Sequence, residues 1–364
     1  MTIRQVVDQI EEYAPLALQE SYDNAGLILG DSAAEVTAAL LCIDVTEEVV
    51  DEAIAKGCNL IISHHPLIFS GLKRITYNSS LERTIIKAIR QGIAVYSAHT
   101  NMDVVWGGVN TYVAEKMGLQ SVEILRPLQK QLLKVVTFVP ETHAAAVREA
   151  LFEAGAGNIG DYDSCSYNVM GQGSFRGQEG TNPFVGEPMK LHFEPEVRIE
   201  TICPRHILAR VIRSLLEAHP YEEPAYDIYP LENIHERVGL GIVGNLDQPM
   251  ESLEFLAYLK KIFKVAVIKH TSLIKEKIQR VAFCGGSGSD LLNDAIRAKA
   301  DIFISADFKY HQFFNADNQI IIADIGHFES EQYTKEIFYH ILTKKFPNFA
   351  VHFSEINTNP VNYL

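Results

Sequence analysis

The chain is poor in the features that would tie it to an oxidising compartment, a membrane or a nucleic acid. Its five cysteines (Cys42, Cys58, Cys165, Cys203 and Cys284) are odd in number and scattered, with no C-x-x-C. They read as reduced thiols of a cytoplasmic protein, mostly filling core positions. Cationic residues are outnumbered, with 32 Lys and Arg against 46 Asp and Glu and a formal charge of −14. A broad nucleic-acid surface needs clustered Lys and Arg, so none is expected, although one local basic pocket for a phosphorylated small molecule remains open. The opening M-T-I-R-Q-V-V-D-Q-I-E-E carries acids and no long apolar run, and reads as neither signal peptide nor membrane span. The glycine-rich loop at 285–290 has no Walker lysine and lacks the G-x-G-x-x-G spacing. The loop G-G-S-G-S-D (Gly285–Asp290) has the strand-to-helix context for anion binding, but Asp290 would repel phosphate. A tight turn capped by Ser289 or Asp290 is the expectation there.

What is present is an ordinary globular composition, 47% hydrophobic and 21% charged over 364 residues, long enough for two or three domains. Thr2 is placed to cap a helix with Ile3, Val6, Val7 and Ile10 on one face. Residues 38–43, 60–62 and 93–98 are short buried strands, alternating with helices at 46–56 (Val49, Val50, Ala53 and Ile54 inward), 80–91 (capped by Ser80 and carrying Ile85, Ile86 and Ile89) and 109–117. Such alternation predicts a parallel, doubly wound α/β sheet. From about Leu125 the order becomes βαββαβ, that of a ferredoxin-like domain, with a Gly-rich loop expected from Gly171 to Gly186. α/β texture then resumes, with strands at 265–268, 281–284, 301–305, 319–323 and 350–353. The expected domains are 1–124, 125–235 and 236–364. The outer two echo each other, since N-L-I-I-S (59–63) aligns with D-I-F-I-S (301–305). In each, the next strand ends in a His followed four residues later by an acid: His99 and Asp103, then His327 and Glu331. Two related α/β halves meeting at one cleft are the reading, against chance likeness of two helix–strand units.

The chemistry concentrates in N-L-I-I-S-H-H-P (59–66). Pro66 stops the strand and leaves two imidazoles at its carboxyl end, where open α/β sheets bind ligands. A pair of surface histidines is the plain alternative. If the strand ends converge, His64, His65, Asp103, His327 and Glu331 form a mixed imidazole–carboxylate set suited to zinc, iron or manganese. Adjacent His64 and His65 would point apart in an extended strand, which suits two ions bridged by a carboxylate better than one. His99 is a candidate ligand, supporting partner or proton-transfer group, with a structural role equally open. Asp307 and His311 are candidates to line the same cleft.

D-N-A-G-L (23–27), S-H-H-P, A-H-T-N-M-D and G-H-F-E-S-E together resemble the successive motifs of the GTP cyclohydrolase I type 2 homologue family, the Nif-three-like dinuclear-metal proteins. H-P-Y-E-E-P-A-Y-D-I-Y-P-L (219–231) is similar to the PII-like or CutA-like domain inserted in longer bacterial members, although G-L-G-I-V-G (239–244) lacks the arginine expected in that turn. The resemblance implies two divalent ions (zinc, iron or manganese). One would be held by His64, Asp103 and Glu331, the other by His65, His327 and Glu331. It also implies a toroidal homohexamer with metal sites facing an internal cavity, and no nucleic-acid or membrane partner. The family label implies a metal-dependent hydrolase that opens the guanine imidazole ring of GTP and releases formate, with His99 or His311 as proton shuttles. The alternative is a non-catalytic metal-binding or regulatory assembly whose insert senses a small-molecule effector.

Overall fold

Four-residue apolar runs are too short for buried helices, and in the computed structural model, which describes residues 1–364, they are strands. Helix Ile3–Tyr13 opens on a reciprocal cap: the Thr2 hydroxyl accepts from the Gln5 N–H while the Gln5 side chain accepts from the Thr2 N–H. Then come β1 (Gly26–Leu29), β2 (Ala39–Cys42), β3 (Leu60–Ser63) and β4 (Ala94–Ser97). β2, β3 and β4 run parallel and are buried throughout, as strands covered on both faces must be, while β1 is antiparallel to β4. Helix Ser80–Arg90 is capped by Ser79, not Ser80, and its inward residues are Thr84, Ile85 and Ala88. Ile89 is 58% exposed, because the face toward the sheet is set by Ile85 and its i+3 neighbour, and Ile54 of the preceding helix, expected inward, is 42% exposed. β5 (Gln120–Pro127) ends this segment.

Residues Leu128–His235 form a compact unit of their own. It contains β6 (Leu132–Pro140), helix Ala144–Glu153, β7 (Ser166–Phe175), β8 (His192–Pro204), helix Leu208–Ala218 and β9 (Tyr226–Pro230). Its sheet has the order β7-β8-β6-β9 with every neighbouring pair antiparallel. One face meets the two helices through Val135, Val147, Leu151, Ile199, Val211 and Leu215. The Gly-rich loop expected from Gly171 begins later, since β7 runs on through Gly171 and Gly173, paired with Glu196 and Glu194. Backbone ladder bonds need no side chain, so glycine weakens a strand without ending it.

The second unit joins Met1–Pro127 to Glu236–Leu364. Its later strands are β10 (Gly239–Glu251), β11 (Lys269–His270), β12 (Lys277–Phe283), β13 (Ile302–Ser305), β14 (Ile321–Asp324) and β15 (Val351–Phe353). The two sheets run β1-β4-β3-β2-β15 and β11-β14-β13-β12-β10-β5. Each outer segment therefore lends an edge strand to the other: β15 pairs with β2, and β5 with β10. G-L-G-I-V-G, read as a turn, is the first half of β10. The apolar run 265–268 is not a strand: Lys264 ends the preceding helix in the left-handed conformation, Val265 drops into the core, and Val267 is exposed. No helix is long and apolar enough to cross a membrane.

The inward face of helix Ser80–Arg90 yields a direct comparison. Ile85→Ala is expected to cost about 2–4 kcal/mol by deleting a fully buried side chain, whereas Ile89→Ala stays within about 0.5 kcal/mol. Urea denaturation of both variants checks the face, and equal losses would contradict it.

Candidate metal centre

The site is built from the carboxyl ends of β3, β4 and β14. Ser63, the last residue of β3, donates its hydroxyl to the His65 carbonyl (2.8 Å) and shares a hydrogen bond with Ser97 of β4 (2.8 Å). The His65 N–H reaches back to the Ile43 carbonyl (2.9 Å). These bonds bend the chain over the sheet edge, so the two imidazoles do not point to opposite faces. Their ring centres lie 5.0 Å apart. They diverge only as far as two oxygens of one carboxylate: His64 Nε2 is 3.6 Å from Glu331 Oε1, and His65 Nε2 is 3.0 Å from Glu331 Oε2.

Glu331 and His327 lie four apart on helix His327–Glu331, so they share a face, with His327 Nε2 3.2 Å from Glu331 Oε2. Asp103, on helix Thr100–Val104, brings Oδ1 to 3.7 Å from His64 Nε2. Two triads result, His64–Asp103–Glu331 and His65–His327–Glu331, each with ligand atoms mutually within 4.8 Å and able to hold a metal ion. Two of these atoms, His64 Nε2 and Asp103 Oδ1, are buried without a hydrogen-bond partner. Buried polar atoms nearly always find one, and a divalent cation between these donors satisfies both. The donor set fits the ion that the resemblance implies.

Each ligand imidazole is fixed from behind. Nδ1 of His64 donates to the Ala98 carbonyl (3.0 Å), that of His65 to Asp44 (2.7 Å), and that of His327 to Asp307 (2.6 Å). Such contacts set the tautomer and leave Nε2 as the ligating nitrogen. The Thr358 hydroxyl holds the other Asp44 oxygen (2.7 Å). Asn110 accepts from the Gly285 N–H and donates to the Asp103 carbonyl, tying the Asp103 helix to the loop behind Glu331. In that loop a Cβ on Gly286, at φ +62°, would sit 2.2 Å from Glu331 Oε1. The loop's task is close approach to the carboxylate, and its helix is capped by Gly288 rather than Ser289 or Asp290. Asp290 instead pairs with Arg126 (2.6 Å).

All five expected ligands converge. His99 lines the same cavity of about 830 Å³, its ring 5.3 Å from that of His64, and its Nδ1 donates to the buried Asp23 (2.8 Å). Asp307 supports His327. His311 is exposed with its ring against Tyr310 and does not line that cavity, because the left-handed turn at Asp307 (φ +58°) carries the following segment away. Asp44 and Asn110 were not singled out from sequence, while Asp23, in the D-N-A-G-L motif, and Gly286, in the G-G-S-G-S-D loop, were noted without these contacts. Asp44 had a usable signal, since it follows the end of β2 as His64 follows β3.

Charge explains why the cluster holds together. Burial works to raise the Glu331 carboxyl, but the charge on His64 and hydrogen bonds from His327 and His65 hold it well below the usual carboxylate range. Burial works to lower His65, yet contacts with Asp44 and Glu331 raise it to about 10; His327 rises likewise to about 9. Burial, opposed by His64 and reinforced by Glu331, lifts Asp103 to about 7. In chelator-stripped protein the protonated imidazoles stabilise the fold fully below pH 6.5, and that contribution disappears as pH rises through about 9 and 10. Stripped protein is therefore expected to lose thermal stability across that window. Zinc, which must displace these protons, binds about tenfold tighter or more at pH 8.5 than at pH 6.5. Calorimetry in buffers of different ionisation enthalpy checks both, and pH-independent binding without proton release would contradict the arrangement.

Comparison with known proteins gives one consistent answer. The chain is 39% identical to a GTP cyclohydrolase 1 type 2 homolog of Halalkalibacterium halodurans over 364 residues, covering 99% of this chain and 98% of that protein. It is 37% identical to the protein of the same name from Bacillus subtilis over 368 residues, covering 99% and 98%. Among solved structures, a Bacillus cereus protein related to NIF3 matches with TM-score 0.88 at 39% identity, covering 100% of this chain and 99% of that one. A Staphylococcus aureus protein matches with TM-score 0.79 at 31% identity over 100% and 99%. The family model described as Duf34/NIF3 (NGG1p interacting factor 3) spans residues 1–360. The chain belongs to the DUF34/NIF3 family.

Proposed function

We propose that the protein is a metal-dependent hydrolase of a nucleotide-like substrate, built around two divalent ions that share Glu331. The observation that carries this reading is the pair of buried, partnerless ligand atoms, His64 Nε2 and Asp103 Oδ1, aimed at a carboxylate that the second triad also uses. His64, Asp103 and Glu331 would hold one ion and His65, His327 and Glu331 the other, with zinc, iron and manganese all compatible with the donor set. Ions so bound lower the pKa of coordinated water and polarise the group under attack.

The chain supplies the rest. Asp23 takes hydrogen bonds from His99 Nδ1 and the Thr100 hydroxyl; these outweigh burial and hold its carboxyl well below the usual range. An aspartate so placed fixes the His99 tautomer and leaves its Nε2 free to take and return a proton in the cavity. Tyr22 and Phe69 stand near the cavity with ring centres 6.2 Å apart, Phe69 edge-on to His99. They suit a planar substrate group and restrict water there. GTP is the first substrate to test because the relatives carry a GTP cyclohydrolase name.

Further elements belong to the same reading. The matching order β2-β3-β4 and β12-β13-β14 supports two related halves, and the order β7-β8-β6-β9 supports a ferredoxin-like insert of PII or CutA type. The exposed Tyr310 and Phe314 support burial in a self-contact, as a homohexamer would provide. Five free thiols suit the cytoplasm.

The test is formate release from GTP by protein loaded in turn with zinc, manganese and iron. Turnover is expected, with Glu331→Ala losing both bound metal and activity. His99→Ala is expected to keep its metal and lose about 10²–10⁴-fold in kcat. Metal bound at full stoichiometry with no turnover of GTP or of a panel of nucleotides and esters would contradict catalysis and favour a regulatory assembly.

A further inference from the structure

We infer that the Leu128–His235 unit carries its own binding site for a small organic cation with an ammonium head, seated on the Glu196 carboxylate among the rings of Phe175, Phe184 and Tyr221. The site is independent of the metal chemistry. These side chains line a cavity of about 660 Å³ lying wholly within the unit. The Tyr221 ring centre is 5.6 Å from that of Phe175 and 6.3 Å from that of Phe184.

Glu196 is the anomaly that assigns the ligand. The other carboxylates on its face of β8 have cations: Glu200 takes Lys134 and Arg198 at 2.8 Å each, and Glu194 takes His192 at 2.8 Å. Glu196 is the most buried of the three, at 8% exposure, and has no cationic partner; its Oε1 accepts only from the Tyr221 hydroxyl (2.8 Å). Burying an anion without a counter-charge is costly, and the fold goes out of its way to do it. Gly173 on the neighbouring strand leaves room for it in this position, since a Cβ there would lie 2.1 Å from Glu196 Oε2 and the carboxylate would have to move.

The surroundings favour the same sign of ligand. Glu222 and Glu223 also line the cavity but are exposed, and Glu222 accepts from the Asn182 N–H (3.3 Å), anchoring the segment that carries Phe184. Arg198 also lines it, but its guanidinium lies 5.6 Å from the centre of the Phe138 ring and is engaged by Glu200. Arg176 is exposed and screened by solvent. A phosphorylated ligand would meet the buried Glu196 carboxylate, with the Arg198 guanidinium already held by Glu200 and Arg176 out in solvent. An alkylammonium meets one buried carboxylate and several aromatic faces, the pairing that binds such cations.

The test is calorimetric titration of the full-length, metal-loaded protein with choline, n-butylammonium and 3,3-dimethylbutan-1-ol, the uncharged shape-match of choline. At least one cation is expected to bind about tenfold or more tighter than the alcohol. Glu196→Gln keeps an acceptor for Tyr221 and is expected to abolish that preference with metal content unchanged. Phe184→Ala, in the 176–191 segment outside the sheet, is expected to weaken the cation about tenfold and serves if the first variant misfolds. Equal affinity for cation and alcohol, no binding of either cation, or undiminished preference in the folded variants would overturn the assignment.

Discussion

One buried carboxylate, Glu331, faces three imidazoles, and the geometry around it follows from the need to keep its charge compensated. In so dry a position an unpaired anion would be intolerable. His64, His65 and His327 answer it directly, and Asp44, Asp307 and the Ala98 carbonyl hold those rings in orientation from behind. Asp103 adds a second carboxylate whose Oδ1 takes no hydrogen bond, leaving the cluster an acceptor for positive charge.

Bringing those groups together requires both sheets. His64 and His65 leave β3 and Asp103 follows β4, whereas His327 and Glu331 follow β14. The exchange of edge strands, β15 onto the first sheet and β5 onto the second, binds the two outer segments into one unit. Asn110 and Gly286 then set the approach at the scale of single atoms, the first through paired hydrogen bonds and the second through a missing Cβ. The same device recurs at Gly173 beneath Glu196, where absence of a side chain again gives a buried carboxylate its place.

The five ligands were legible in the sequence because each follows an apolar strand that ends abruptly, and strand ends of parallel sheets gather at one edge. Most helices and strands were legible for the same local reasons: Thr2 caps, Gly92 closes, and β3 is too short and too apolar to be anything else. The exchanged strands were not, since nothing within Val351–Phe353 says which sheet it will join. The contacts of Asp23 with His99 and of Asn110 with Gly285 were not legible, because those partners lie 76 and 175 residues away. His311 looked equivalent to His99 in sequence, but a single left-handed residue at Asp307 sends it to the surface.

The central claim is that two cations sit on either side of Glu331. Anomalous diffraction from crystals grown with zinc or manganese, collected above and below the metal edge, tests it most directly. The account predicts two peaks, one bounded by His64 and Asp103 and the other by His65 and His327, both touching Glu331. A difference map empty at that carboxylate, with metal only on surface histidines, would contradict it.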